Sequence, residues 1–523
     1  MYEKKALTSI VTHSSQNVVR FSENKLWEQP IQHERKKELY KKMNPHKLYI
    51  NGEFVASKSI ETIDVINPGT GEVISQVIDA TEEETNQAIE SAWVGQKEWE
   101  KVPQVERGQI VRQIGDAIQA DKETFARMLS EEQGKPLEEA RGELDQAIGF
   151  FHYMSEWNRK IGGEIVPSDD PNEQILIQRK PIGVVAGIIP WNYPVFIFAR
   201  KVATALITGC SVVIKPSEET PNTAIAFSEV IDSMDLPNGV YNLVTGKGDT
   251  VGNRLSSHPK IAMVSMTGSV PAGTKVMEAA AQHITKVNLE LGGKAPIIVS
   301  KHADLDLAVK NIKASRIENA GQACISAERV YVQEEVAEAF TKKMVEAMKE
   351  IKVGYSLEEE GIEMGPVSSA HHLEKVEELV EEAKKQGAHV ETGGNRLDFG
   401  KGYYYAPTVL TNVQHHMDIM TSEIFGPVLP ITTYKEFSEA IELANDSIYG
   451  LASALYSDDY NEVMQASRDL QYGETYVNRD TGEAIQGYHA GMRQSGIGGT
   501  DGKNGISDFL STHVMYLAYN EKK

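Results

Sequence analysis

The chain has 523 residues, with 53 lysines and arginines against 75 aspartates and glutamates and a formal charge of -22. That length exceeds what one core fills and predicts two or three packed units, while the 41% hydrophobic and 24% charged residues fit a soluble globular protein. No apolar run nears the ~18 residues of a membrane span, and the acidic excess repels a phosphate backbone, so membrane and nucleic acid are set aside as partners.

Residues 1–46 are polar and rich in Lys and Arg, without the apolar core of a signal peptide. Glu3, Glu23 and Glu28 argue against a mitochondrial presequence, so the segment reads as a solvated extension of a cytoplasmic protein. The folded body is expected from Lys47, where KLYI and EFVA flank Asn51-Gly52, a dipeptide suited to a tight hairpin. Helices follow: Thr81 and Glu84 stand at capping-box spacing, and QIVRQIGDAI repeats apolar residues every three or four positions. Gly162 to Arg179 reads as a β-hairpin. Between 184 and 290 the runs VVAGII, SVVI, VYNLV, AMVSM and KVNLEL alternate with helical segments, the pattern of a parallel sheet with crossover helices. Thr220-Pro221 reads as an N-cap followed by proline at the first helical position. A second α/β series runs from 296 to about 478 through PIIV, RVYVQ, PVLPITT, LASALYS and ETYVN. The late run HVMYLAYN is a strand with no obvious partner nearby, an edge that invites pairing between subunits.

Only two cysteines are present, Cys210 and Cys324, too few for a disulfide framework and consistent with a reducing compartment. Cys324 lies among small residues in NAGQACISAER, where its sulfur is approachable; it reads either as a nucleophile or as a small buried hydrophobe, and Cys210 keeps the second reading. Glu290 ends an apolar run at LELGGK, placed to serve as a base or to be held in a salt bridge. Asn192, between Pro190 and Pro194, is either an oxyanion donor or a turn residue. Two glycine segments compete for phosphate, GKGDTVG at 246–252 and TGSVPAG at 267–273; the second lies between a strand and a helix. Lys215-Pro216-Ser217-Glu218 occupies the carboxyl end of a parallel strand, where open α/β sheets bind nucleotides; an acid there binds ribose hydroxyls and disfavours a 2′-phosphate. The pairs His371-His372 and His415-His416 lack the acids or cysteines that would complete a metal site, and no metal is expected.

Six motifs in order, PWN, KPSE, MTGS, LELGGK, GQAC and EIFGP, resemble the aldehyde dehydrogenase superfamily over residues from about 47 to 520. The resemblance implies its α/β fold: two Rossmann-like parallel-sheet domains plus a β-hairpin oligomerisation element. The implied division is a dinucleotide-binding domain from 47–161 and 183–292, a catalytic domain from 293–495, and an oligomerisation element from 162–182 and 505–520. It further implies Cys324 as nucleophile, Glu290 as base, and Asn192 with the Cys324 backbone N–H as oxyanion hole. NAD, with NADP possible, would contact Ile189, Trp191, Lys215, Pro216, Ser217, Glu218, Gly268 and Ser269, with Glu423 and Phe425 on the nicotinamide side. A homo-oligomer, tetramer or dimer, is implied as well.

Within that superfamily, GYHAGMRQSGIGGTDGK and NAGQACISAERVYVQ resemble the lactaldehyde and glycolaldehyde dehydrogenases, implying a small 2-hydroxy aldehyde as substrate. Arg200, eight positions after Asn192 on an expected helix, and His489 would then be polar groups in the substrate funnel. Alternatives remain: a semialdehyde oxidiser, because the fork of Arg200 equally suits a carboxylate; a broad-specificity aldehyde dehydrogenase; and a catalytically silent nucleotide-binding or structural protein. A CoA-acylating enzyme is disfavoured by the presence of Glu290.

Overall fold

The computed structural model describes residues 45–519; the extension read at 1–46 falls almost wholly outside them. Leu48–Ile50 and Glu53–Val55 pair antiparallel across Asn51 and Gly52, whose φ angles of 57 and 81 are those the Asn-Gly turn demands. The hairpin is docked on a larger sheet through Tyr49 and Leu243.

That sheet has eight strands, in the order Glu53–Val55, Leu48–Ile50, Tyr241–Leu243, Ser211–Lys215, Val184–Ile188, Ile261–Thr267, Lys286–Glu290 and Gly496–Ile497. The central five are parallel, with Ile188 opposite Lys215 and Thr267 opposite Glu290. Buried on both faces, they read as unbroken apolar runs, and Val184, Val213, Val264 and Leu289 are fully enclosed. Their carboxyl ends share one edge of the sheet, so Lys215 and Glu290 emerge there together. The seven-stranded second sheet runs His389–Thr392, Thr408–Thr411, Val428–Tyr434, Arg329–Gln333, Pro296–Val299, Ala452–Tyr456 and Glu474–Val477, parallel except at the first pair. The sheets are joined by Gly496–Ile497, which returns after the second series to pair antiparallel with Lys286–Glu290.

The hairpin expected at 162–179 is present as Glu164–Val166 and Glu173–Pro181. The late strand, expected to lack a nearby partner, has one within its own chain: Leu510–Ala518 pairs with Glu173–Pro181 along its whole length, from Leu510 opposite Pro181 to Ala518 opposite Glu173. Such a pairing spans the sequence and is invisible to local pattern. Thr81 and Glu84 form the expected capping box on Glu82–Trp99. The N-cap reading of Thr220 is corrected. The helix Asn222–Asp232 starts after Pro221 without a side-chain cap of its own; buried Glu132, on Lys122–Gln133, accepts the N–H groups of Asn222 (2.7 Å) and Thr223 (3.0 Å) instead.

One buried carboxylate connects the loops that follow these strands. Glu328, 1% exposed, accepts from Lys294 Nζ at 2.7 Å, Arg316 Nη1 at 2.9 Å and the backbone N–H groups of Ile424 and Phe425 at 2.9 and 3.0 Å. Arg316 also donates to the carbonyls of Ala327 and Gly321. Burial alone would push the Glu328 carboxyl up, but Lys294 and Arg316 prevail and hold it at about 2. With a folded pKa below the unfolded one, the stabilisation is complete above the ordinary carboxylate range and is lost as pH falls through it towards 2. Glu328→Gln keeps the shape but strands two buried cations, which costs about 3–5 kcal/mol; urea unfolding at neutral pH should read that loss, and a change below about 1 kcal/mol would mean the cations find other partners.

Candidate active site

The helix Leu305–Ile317 ends in three successive left-handed residues, Asn319, Ala320 and Gly321, with φ angles of 49, 53 and 75. At Gly321 a β-carbon would lie 2.4 Å from the Gly426 carbonyl oxygen, so only glycine closes the turn. Cys324 follows, half-buried, on the wall of a cavity of about 230 Å³ that Asn192, Arg200, Glu290 and Glu483 also line. Cys210 has the other fate: fully buried, its sulfur donates to the Phe509 carbonyl.

Asn192 is fixed at both ends. Its amide nitrogen donates to the Gln322 carbonyl at 2.9 Å, and its backbone oxygen accepts from Lys135 Nζ and from Asn319 Nδ2, each at 2.9 Å. Lys135 is paired at 2.5 Å with Glu143, both side chains 1% exposed. The other Glu143 oxygen caps the helix Pro194–Thr208 through the N–H groups of Val195 and Phe196. Asn192 thus precedes that helix rather than sharing a face with Arg200, which corrects the eight-residue reading. Lys135 and Glu143 were not singled out in the sequence; nothing local to Lys135 showed that it would reach the Asn192 backbone, 57 residues on.

Glu290, 2% exposed, accepts from Thr267 Oγ1 at 3.0 Å and from Thr500 Oγ1 on its other oxygen. Burial alone would raise its pKa and sharpen it as a base. Burial does push that way, but the charges of His489, Arg200 and Lys201 outweigh it and hold the carboxyl below its usual range. Glu290 is therefore an ionised, hydrogen-bonded acceptor. Lys201, fully enclosed and donating to Ser265 Oγ, has its own pKa lowered by burial to about 8.

The two residues read as free polar groups of a substrate funnel are both engaged. Arg200 lines the cavity, yet its fork is taken by Asp501, through Nε at 3.0 Å and Nη2 at 2.5 Å, and by Glu483 at 2.9 Å, while Phe196 stacks on its face at 4.2 Å. His489, 2% exposed, is not a wall residue of that cavity; Nδ1 pairs with Glu474 Oε1 at 3.2 Å. Leaving either cation unpaired at such depth would cost more than a passing substrate returns. Thr500 and Asp501 stand in the GGTDGK run but were not read individually. Their partners Glu290 and Arg200 lie 210 and 301 residues away.

Beside the cavity, at the carboxyl edge of the first sheet, runs a groove of about 900 Å³ lined by Ile189, Trp191, Lys215, Ser217, Glu218, Gly268 and Ser269. Lys215 Nζ donates to Glu218 at 3.2 Å and to the Pro216 carbonyl at 3.1 Å. Ser269 is the N-cap of Val270–Ala280, whose amino end faces the groove. The two competing glycine segments line this same groove: Gly248 N–H donates to Glu218 Oε1, and Gly252 lies opposite Ser269 and Lys275. Glu423 and Phe425 border the cavity. Glu423 accepts from the Gly293 N–H at 2.8 Å, and burial lifts its carboxyl to about 7. Phe425, at φ 55, packs edge-on to Trp191 with centroids 5.5 Å apart, and its carbonyl accepts from His372 Nε2 at 2.6 Å. Burial lowers His372 to about 4, so the ring stays neutral and donating. The other paired histidine, His415, lies between Tyr331 and Asp446. Among the described residues no group of three His, Cys, Asp or Glu is placed to hold a metal, and no helix is long and apolar enough to cross a membrane.

Residues 54–515 match the aldehyde dehydrogenase family. The chain is similar to the lactaldehyde dehydrogenase of Escherichia coli K12, 49% identical over 90% of this chain and 98% of that one; the crystal structure of the Escherichia coli enzyme superposes with a TM-score of 0.89, covering 90% of this chain and 99% of that one. It is also similar to a 3,6-anhydro-L-galactose dehydrogenase solved in complex with NAP, at 40% identity, TM-score 0.89 and coverage of 91% and 100%. A betaine aldehyde dehydrogenase from Staphylococcus aureus in complex with NAD+ is 37% identical, with TM-score 0.90 and coverage of 93% and 97%. With this match across nearly all of the folded chain, and a thiol, an ionised carboxylate and an amide donor on one cavity wall, the protein belongs to the aldehyde dehydrogenase family.

Proposed function

We propose that the chain oxidises a small 2-hydroxy aldehyde, of the lactaldehyde or glycolaldehyde type, to the carboxylate with NAD, through a thioester on Cys324. The observation that carries this reading is the meeting of Cys324, Glu290 and Asn192 on one small cavity beside a nucleotide-sized groove. The Cys324 thiolate attacks the aldehyde carbon, and the new alkoxide is received by the Cys324 backbone N–H and the amide of Asn192, whose own backbone oxygen is held by Lys135 and Asn319. The groove and cavity residues fit a dinucleotide: Lys215, Ser217 and Glu218 at a strand end for the adenosine ribose, with Pro216 between them in the chain, Gly268 and Ser269 at a helix N-terminus for the pyrophosphate, and Ile189, Trp191, Glu423 and Phe425 for the nicotinamide half. When bound, the nicotinamide supplies the hydride acceptor that makes the reaction an oxidation. Glu290 then takes the proton of the water that hydrolyses the thioester. The charge of Glu218 favours a ribose with a free 2′-hydroxyl, hence NAD over NADP.

The substrate class follows from how the wall is charged. Arg200 is neutralised by Asp501 and Glu483, so it offers no fork to a substrate carboxylate, which the wall carboxylates Glu290 and Glu483 would repel. Glu483, held by Arg200, is placed to accept from a substrate hydroxyl. This favours a hydroxyaldehyde over a semialdehyde. The division proposed for the chain is a dinucleotide-binding part at 47–161 and 183–292, a catalytic part at 293–495, and an assembly element at 162–182 and 505–520. The last exposes Ile165 (72%) and Tyr516 (65%), which support a cytoplasmic homo-oligomer built on strand edges.

Three outcomes test this. Glu290→Gln should form NADH in a burst approaching one equivalent per site and leave an acyl adduct on Cys324 detectable by mass; steady turnover at the parent rate would remove Glu290 from its role. Lactaldehyde or glycolaldehyde should show higher kcat/KM than propanal or succinate semialdehyde, and Glu483→Gln should shrink the preference over propanal by about tenfold, the worth of one hydrogen bond to a charged group. An equal loss for all aldehydes would make Glu483 structural, and succinate semialdehyde as best substrate would defeat the hydroxyaldehyde reading. Glu218→Ala should raise the kcat/KM ratio of NADP to NAD by about tenfold, since one unfavourable charge beside the 2′-phosphate is removed.

A further inference from the structure

Glu290 ends its strand between two others: Thr267 lies opposite it on the parallel side and Gly496 on the antiparallel side. A hydroxyl reaches it from each direction. Thr267 Oγ1 donates to Oε2 at 3.0 Å, and Thr500 Oγ1, four residues beyond Gly496, donates to Oε1. The two threonines differ in what else they face. Thr267 lines both the cavity and the groove, whereas Thr500 is buried and lines neither. The Thr500 backbone is held by a two-way pairing with His489, at 2.8 and 3.0 Å. The carbonyl before it, on Gly499, accepts from Asn288 Nδ2 at 2.9 Å, and the Asp501 side chain after it is bound to Arg200. Asn288 stands on the strand of Glu290 and Arg200 on the helix Pro194–Thr208. The Thr500 loop is therefore tied to elements on two sides of the carboxylate, and its hydroxyl is fixed on Oε1.

We infer that Thr500 is a positioning residue for thioester hydrolysis: it anchors Oε1 of Glu290 from behind the wall and leaves Oε2, on the cavity side with Thr267, as the oxygen that takes the proton of water. A carboxylate oxygen has room for two hydrogen bonds, so Oε2 receives the water while Thr267 still donates to it. In that step one O–H bond of water breaks and its proton passes to Oε2. The water oxygen adds to the thioester carbonyl carbon, and the C–S bond breaks with its electron pair returning to Cys324 as thiolate. Without the Thr500 hydroxyl, Oε1 is a buried anionic acceptor that has lost its donor. The carboxyl is then free to turn about its terminal bond, a broad two-fold torsion, and a base out of position costs rate in an intact fold. The Thr500 hydroxyl bonds Glu290 and lines neither cavity nor groove, so attack on the aldehyde and hydride transfer, which precede hydrolysis, do not use it. The inference deepens the reading of Glu290 as base and rests on it.

The test separates the two halves of one turnover. The full-length enzyme, loaded with NAD, is mixed rapidly with one equivalent of lactaldehyde; NADH formation reports attack and hydride transfer, and quenched samples give the acyl adduct on the Cys324 peptide by mass. In Thr500→Val, which keeps the side-chain shape and removes the donor, NADH should form within about twofold of the parent rate while the adduct persists about tenfold longer, the worth of one hydrogen bond to a charged group. Thr500→Ser, which restores the hydroxyl, should recover most of the parent's hydrolysis rate. Thr500→Ala should show the same split and serves if the valine variant fails to fold. A purely structural role slows NADH formation and adduct decay together; that result, or parent behaviour in both variants lacking the hydroxyl, overturns the inference. Failure of the reading of Glu290 as base is seen separately, as steady turnover at the parent rate in Glu290→Gln.

Discussion

The site depends on a single buried negative charge. Glu328 draws Lys294 from one strand end, Arg316 from a helix and the backbone of Ile424 and Phe425 from a third segment onto two oxygens. Through Arg316 it also holds the Gly321 carbonyl, and so the left-handed turn that presents Cys324. The Cys324 loop and the loop carrying Glu423 and Phe425 therefore share one anchor. Full desolvation of such a cluster is tolerable only because every lone pair is used; an apolar core would be as stable but would not fix two loops against each other.

A second pattern repeats this logic around the cavity. Lys135 with Glu143, Arg200 with Asp501 and Glu483, and His489 with Glu474 are each ion pairs or triads out of water; the first holds the Asn192 backbone, and the second fixes Glu483 on the cavity wall. Charge is abundant here, but little of it is mobile. The field at the reacting atoms is set in advance, which is how a small polar cavity can favour developing charge without reorganising when the substrate arrives. Glu290 illustrates the consequence. Its environment keeps it ionised, and two threonine hydroxyls fix its oxygens.

What could be read in the sequence was what is local or what is motif. Asn51-Gly52 named its hairpin because two adjacent backbones decide the turn, and Thr81 with Glu84 named a capping box for the same reason. The family was legible because six short motifs kept their order. The partner of Leu510–Ala518 and the acids on Arg200 were not legible, since those contacts close loops of roughly 300 residues with no local trace. Arg200 and His489 were read as polar groups of a funnel; that they are already paired required knowing what faced them. The sign of the Glu290 shift is hidden in the same way. Burial can be inferred from an apolar run, but the cations that reverse its effect come from a helix and from a loop about 200 residues further on.

The antiparallel seam between Gly496–Ile497 and Lys286–Glu290 bears on how the chain is made. Thr500 lies 210 residues after the Glu290 it bonds. At about 5–20 residues per second, a ribosome that has finished Glu290 needs roughly 10–40 s to deliver its partner. For most of that interval, once residue 324 has been made, the thiol of Cys324 exists without a closed cavity around it. Completion of the centre therefore waits for a segment near the end of the described chain. Until Thr500 and Asp501 have been made, neither Glu290 nor Arg200 has the partner that holds it in the finished cavity wall.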